Sequence, residues 1–490
     1  MSQSSKPTSV ARQDPESRSR NMFAALALLL GLLLRLLFIV RFAHLAGDTL
    51  VYGDIARNWL EHAVYGLTQT VNGQVVAPHA TLIRLPGYPL FLLVCFRLFG
   101  TGHYLPVMLV QAALDLAGCW LAASIARRIF GERAFLPALW LAALCPFTAN
   151  YTAVVLTETV TLFTIQLAFY GLVRWKQAGA RFDRWLALIG IALAYSILVR
   201  PEQGLLAAAV VPAVYWYGKP GDWKRGLRLA AVVSLLTVLP LVFWAIRNEH
   251  TMHVFQPLAP RDAMDPGEVN PSGFQHWYKT WAIDFATTVT TYWNYDSEPV
   301  RVGDLPYRAF DNKEQYQETA DLLEDYNAEL AANEDFDARF EALARERRTA
   351  NPFRYYVALP ASRLVNMILR PRVETLPVPL EWWKVQGHLH TALAALALAL
   401  VNLGYIVLAF AGWVRWRRST AESTWQTFLF CMLATIALRA ALLLTLDNSE
   451  PRYTLEFYPV IFILGAACWT TFRRRRPSSE SQTTSYPPLT

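Results

Sequence analysis

The sequence predicts an all-α polytopic membrane protein with about ten transmembrane helices, and three observations carry that expectation. First, 54% of the 490 residues are hydrophobic, 13% are aromatic and only 17% are charged, with a mean hydropathy of +0.23. Soluble domains carry roughly 25% charged residues, so long stretches of this chain have no water-facing side. Second, apolar runs close to the ~20 residues that cross a bilayer recur along the chain. Third, Lys and Arg gather in short runs between them, such as Arg127–Arg128, Lys224–Arg225, Arg415–Arg418 and Arg473–Arg476. That is the pattern of cytoplasmic connections under the positive-inside rule.

The same figures exclude a disordered, collagen-like or disulfide-scaffold chain. The net charge of +7 does not point to nucleic acid, because the basic residues are dispersed between apolar runs rather than clustered on one soluble face. The five cysteines stand singly, without a CxxC pair, so neither a zinc site nor a disulfide framework is signalled.

Taken in order, residues 1–20 are Ser- and Arg-rich and read as a disordered cytoplasmic tail. The run 22–42 is too long for a typical signal-peptide core and reads as the first span, with Arg18 and Arg20 placing its start inside. The connection 43–103 is then outside. Its short apolar run Tyr88–Phe99, capped by Gly100, cannot cross and reads as a re-entrant or surface-lying helix. Spans at 104–126, 134–149, 153–173, 185–200, 203–217 and 228–246 complete an N-terminal membrane module over 21–246; the second of them contains Pro137 and Pro146.

Residues 247–386 form one large outside loop: first Pro- and Gly-rich with many aromatics, then a helix over Lys313–Arg348 that Asn351–Pro352 ends. Within 353–370, Arg354, Arg363 and Arg370 argue for a helix lying on the membrane surface rather than a further span. Spans at 389–412, 424–446 and 454–472 make a C-terminal module over 387–472, and 473–490 form a second cytoplasmic tail. The parity closes at ten spans with both termini inside. No internal repeat or inverted symmetry of the kind that builds many transporters is visible.

Once sidedness is assigned, the outside edge collects carboxylates and arginines together: Asp48, Asp54, Arg84, Glu158, Arg200, Glu202, Arg247, Glu450 and Arg452. A charge near the hydrocarbon costs about 2.5–3.5 kcal/mol on insertion scales, so this concentration points to a shared site. Arginine's planar fork suits phosphate, and a carboxylate at the same cavity can take a proton from an attacking hydroxyl. Histidine pairs at His250/His253 and His388/His390 have no carboxylate spaced to complete a metal set. No cofactor is expected; a divalent metal remains an option that the spacing does not indicate.

Four motifs occupy this edge: Gly47–Asp48–x3–Tyr52–x–Asp54–Ile55–Ala56–x–Asn58; Arg84–Leu85–Pro86–Gly87–Tyr88–Pro89–Leu90–Phe91–Leu92; Leu156–Thr157–Glu158–Thr159 with Leu198–Val199–Arg200–Pro201; and Glu450–Pro451–Arg452–Tyr453 with Pro459. Together they resemble the GT-C glycosyltransferases, in particular the bacterial relatives of dolichyl-phosphate-mannose protein mannosyltransferases and of lipid A aminoarabinose transferase. The resemblance implies a GT-C-like bundle with juxtamembrane helices in the first outside loop. It implies transfer of a hexosyl or pentosyl group from a polyprenyl-phosphate donor to a lipid, glycan or protein acceptor, on the periplasmic face of a cell (inner) membrane. It makes Asp48 the catalytic base, although Thr49 stands where many relatives carry a second acid. The donor or sugar would be contacted by Asp54, Arg84, Tyr88, Glu158, Arg200, Glu202, Arg247, Arg452 and Tyr453. The alternative is a polyprenyl-phosphate-lipid transporter or flippase without chemistry, at which only Arg35 and Asp115 in the apolar spans hint.

Overall fold

The computed structural model describes residues 15–71, 74–75, 77–260, 264–266, 270–384, 388–418 and 422–470. Most of the first expected tail and all of the second lie outside these. The chain is helical almost throughout: α1 (Pro15–Phe42), α2 (Gly47–His62), α3 (Gly87–Phe99), α4 (Tyr104–Phe130), α5 (Phe135–Ala143), α6 (Pro146–Asn150), α7 (Glu158–Gln177), α8 (Arg184–Val199), α9 (Gly204–Gly218), α10 (Trp223–Met252), α11 (Ser272–Lys279), α12 (Phe285–Thr287), α13 (Lys313–Glu329), α14 (Glu334–Ala350), α15 (Leu359–Leu369), α16 (Leu389–Arg417), α17 (Glu422–Thr445) and α18 (Tyr458–Ala466). Between α2 and α3 lie two short antiparallel strand pairs, Gly66–Leu67 with His79–Ala80 and Thr70–Val71 with Gln74–Val75, which the sequence did not announce.

Contacts between helix ends sort the connections onto two ends of the bundle. At one end Arg20 meets Glu132, Arg225 donates to the carbonyls of Gly179 and Ala180, the Phe428 amide donates to the Tyr217 hydroxyl, and Arg415 reaches the Thr470 carbonyl. At the other end Asp48 meets Arg84 and Arg452, Glu158 meets Arg200, and Lys279 meets the Thr445 carbonyl. Several of the helices expected to cross thus run between these two ends. Length and hydropathy alone single out five helices as long and apolar enough to cross a membrane: 18–42, α4, α10, α16 and 425–445. A sixth is the bent pair Glu132–Ala143 and Pro146–Ala153, which changes direction by 46°. Pro146 forces that break, since the residue before a proline is driven out of the helical region, and Cys145 is indeed extended. The multi-pass all-α membrane architecture stands, while α8, α9 and α18 are each shorter than a lone span.

One predicted element needs correction. The helix expected over Lys313–Arg348 is two: Leu330 turns left-handed (φ 53°), and the Asn333 side chain caps the start of α14 by accepting from the Phe336 amide. With α11 these helices enclose an aromatic core around Phe274, Trp277, Tyr295, Tyr326 and Phe340, where the Phe274 and Tyr295 rings stack 3.8 Å apart. Along 353–370 the three arginines are held by protein, while Phe353, Tyr356, Val357, Val365 and Leu369 stay exposed. Arg354 grips Asp311 at 2.6 Å, Arg363 is buried and donates to the carbonyls of Lys279 and Ala282, and Arg370 donates to Leu380. Deep in the bundle, Arg35 is bonded to Asp115 and to the carbonyls of Gly31 and Ala143, which gives the one suspicious intramembrane pair a structural role.

Candidate functional site

Local packing explains why distant motifs converge. Asp48 sits in the first turn of α2, where the helix dipole favours an anion. That turn is pinned by the Thr49 hydroxyl on the Val155 carbonyl (2.9 Å) and by the His44 amide on the Ala153 carbonyl (3.1 Å). The same strand-like run leads directly to Glu158, at the start of α7. Gly87 lets α3 press on the end of α8: a Cβ there would stand 2.4 Å from the Leu198 carbonyl carbon and 2.5 Å from the Val199 amide. Hence the Arg84–Gly87 stretch and Arg200 share one neighbourhood. Arg372 completes the assembly by donating to the Pro451 carbonyl at 2.7 Å, fixing the turn that carries Glu450 and Arg452.

The result is a chain of alternating charges. Arg84 bonds Asp48 at 3.0 Å, and Asp48 meets Arg452 at 3.5 Å. Arg452 bonds Glu450 and stands 3.8 Å from Glu158. Glu158 meets Arg200 at 3.3 Å; Arg200 bonds Glu202 at 2.8 Å, and Arg439 bonds Glu456 at 3.0 Å. Tyr453 donates to Glu450 at 2.7 Å and lies against the guanidinium groups of Arg200 and Arg452. Exposure separates the acids: the Asp48 side chain is 35% exposed, whereas those of Glu158 and Glu450 are 3% exposed. Asp48 is the most exposed acid of this group.

Electrostatics separate them too. Burial would raise the Asp48 carboxyl, but Arg452 and Arg84 outweigh it and hold the group below the usual carboxylate range. Burial opposes the Glu202 charge as well, yet Arg200 and Arg439 bring it down to about 2. For Arg452, burial is overcome by its acidic neighbours, Glu450 foremost, so its charge is secured. Asp48 and Arg452 open into a cavity of about 510 Å³, whose other walls include Tyr151, Glu374 and Glu450, with Phe285, Val289 and Trp293 of the large loop as its roof.

Of the residues singled out in the sequence, the structure gathers Asp48, Arg84, Glu158, Arg200, Glu202, Arg452 and Tyr453. It does not bring in the other three. Asp54 accepts from the Thr68 amide and hydroxyl, tying α2 to the following connection. Tyr88 is buried and donates to Gln111. Arg247 donates to the carbonyls of Thr81 and Tyr65. Each had looked like a site residue because it is polar at the right depth, but Asp54 and Arg247 are engaged with backbone and Tyr88 with the Gln111 side chain. Arg439 and Glu456 were missed, although an arginine inside an apolar run is itself a signal. Glu374 carried no signal, lying in an irregular stretch. Among the described residues no three His, Cys, Asp or Glu side chains group as a metal site would need.

Fold and site together define a multi-pass membrane protein with an arginine–carboxylate cavity at one end of its helical bundle. Residues 78–244 match the family model described as dolichyl-phosphate-mannose-protein mannosyltransferase. The match, well under half of the chain, runs through Arg84, Gly87, Glu158, Arg200 and Glu202, while Asp48, Glu450 and Arg452 lie outside it. It supports a membrane glycosyltransferase of the GT-C type, the class that the motifs resemble. No curated protein matches the chain. Among solved structures, ArnT from Cupriavidus metallidurans in the apo state is similar at 15% identity, over 93% of this chain and 77% of that one, with a TM-score of 0.37. The same protein bound to undecaprenyl phosphate is similar at 16% identity, over 87% and 77%, with a TM-score of 0.38.

Proposed function

We propose that this chain transfers a sugar from a polyprenyl-phosphate-linked donor to a hydroxyl-bearing acceptor at the outer face of the cytoplasmic membrane, with inversion. The observation that carries the reading is the reachable Asp48 carboxylate held between two arginines at the mouth of a cavity. In the step proposed, Asp48 takes the acceptor proton and the acceptor oxygen bonds to the sugar C1. The C1–O bond to phosphate breaks with its electron pair leaving on the phosphate oxygen, where Arg84 and Arg452 stabilise the charge. Inversion follows because no second carboxylate is assigned as a covalent nucleophile.

Asp48 clamped by two guanidinium groups is a weak base. A phosphate is a better partner for both arginines than one carboxylate, so donor binding draws them away and restores the basicity of Asp48. The base is thereby armed only when the donor is present. Glu158, Glu450 and Tyr453 hold Arg452; Arg200 holds Glu158 and is itself held by Glu202. A metal-free reaction is part of this proposal.

Purified protein incubated with radiolabelled polyprenyl-phosphate sugars and membrane extract tests the reading. Labelled product with wild type and none with Asp48→Asn supports it. Wild-type transfer by a folded Asp48→Asn variant would remove Asp48 as the base. Movement of intact lipid across liposomes without product would make the chain a carrier.

A further inference from the structure

The cavity contains a second acid that the proposed reaction leaves unused. Glu374 enters it from the connection after α15 and lines it together with Asp48. Its position is well fixed. Two residues earlier, Arg372 donates to the Pro451 carbonyl and to Thr454, and next to it Thr375 accepts from Asn150. The two oxygens of Glu374 differ. Oε1 accepts the Tyr151 hydroxyl at 2.8 Å, whereas Oε2 is buried without a hydrogen-bond partner among the described residues.

The arginines on its own segment do not pair with it: Arg370 donates to Leu380, and Arg372 to Pro451 and Thr454. From other elements Tyr151, Tyr458 and Arg452 come near, and His44, Asp48 and Glu450 share the cavity wall. A carboxylate oxygen buried without a donor gives up its hydration and gets no hydrogen bond in return. A proton on it removes that cost and turns the orphan acceptor into a donor. Burial accordingly pushes the Glu374 carboxyl above its ordinary range, with Arg372, its own backbone amide, the Tyr151 bond and Arg370 countering only in part. A neutral acid here also spares an anionic ligand a third negative charge beside Asp48 and Glu450.

We propose that Glu374 acts as a protonated wall of the cavity, donating its O–H to a phosphate or sugar oxygen of the donor lipid. The proposal rests on the transferase reading above, which puts a phosphate lipid in this space. Protonated, Glu374 grips the headgroup; ionised, it repels it. Donor affinity therefore falls as pH rises through the Glu374 value, while Asp48, held low, stays charged throughout that range.

Two measurements on the full-length protein in detergent test this. The first uses dicyclohexylcarbodiimide, an apolar reagent that modifies protonated carboxyl groups, with the adduct located by peptide mass spectrometry. Glu374 is expected to be modified more readily than Asp48, and progressively less as pH rises; a Glu374 no more reactive than Asp48 overturns the proposal. The second is binding of undecaprenyl phosphate against pH. Wild type is expected to lose affinity roughly tenfold per pH unit above the midpoint, while Glu374→Gln retains it and shows only the titration of the lipid itself. Identical pH profiles for the two proteins overturn the role of Glu374 and leave the donor reading intact. Absence of binding to either protein overturns the donor reading, and this inference with it.

Discussion

Asp48 and Glu158 both face Arg452, yet they are fitted for different tasks. Glu158 is sealed at the head of α7 and can only position its arginines, whereas Asp48 is open to the cavity. Replacing Asp48 with Asn is expected to lower transfer by about 10²–10⁴-fold, the usual worth of a general base, with little change in donor binding. Arg452→Lys is expected to weaken donor binding, because an ammonium cannot span two phosphate oxygens as the guanidinium fork does; titration with a polyprenyl phosphate reads this. The sign of the acid response also follows. The folded value of Asp48 lies below its unfolded one, so its stabilisation is complete above about pH 4 and lost as pH falls through the depressed value. Thermal unfolding of wild type should therefore decline more steeply on acidification than that of Asp48→Asn. At this scale Asp48, Arg84 and Arg452 were legible because charge at the edge of hydrocarbon is costly and so conspicuous. Asp54 and Arg247 share that signal, and only their contacts show that they stand apart from the Asp48 cavity.

Among the elements, close approach decides whether the site forms at all. Gly87→Ala puts a methyl group against the backbone of Leu198 and Val199, so α3 must shift away from α8 and carry Arg84 with it. The expected outcome is a lower melting temperature in detergent and reduced transfer, which Gly47→Ala, with no atom within 4 Å of its added Cβ, does not share in its stability. Asn333→Ala removes the cap of α14 and should cost about 1 kcal/mol, read as reduced stability of the large-loop bundle. Apolar period and length made the long helices legible. The division at 330–333 was not, because Leu330 offers no glycine to mark its left-handed turn and a run rich in Glu, Ala and Arg reads as continuous helix. The short strands before α3 escaped for a similar reason: two-residue ladders leave no alternation to detect.

For the whole molecule, the multi-pass helical character was readable from the recurring apolar runs, whereas the length of each helix was not. Packing inside a bundle lets α8 and α9 be shorter than an isolated span would have to be. Arg35 and Asp115 bolt α1 to α4 at the centre of that bundle. Removing one partner leaves a buried charge, so Arg35→Met should destabilise the protein by about 3–5 kcal/mol, while Arg35→Met with Asp115→Leu should recover most of the loss; unfolding in detergent compares the three. A carrier that used this pair for transport would lose function in the double variant, whereas a transferase would keep it.

The bundle of α11, α13 and α14 has its own aromatic interior and is fastened to the rest through Lys279, Ser449 and Arg363. It leads into Phe285, Val289 and Trp293 above the cavity, while Asp48, Glu450 and Arg452 below belong to other stretches of chain. Floor and ceiling are thus written in separate passages of the sequence. Selection can remodel the ceiling to admit a new acceptor without disturbing the charges beneath it, so diversity among such chains should concentrate between residues 270 and 350.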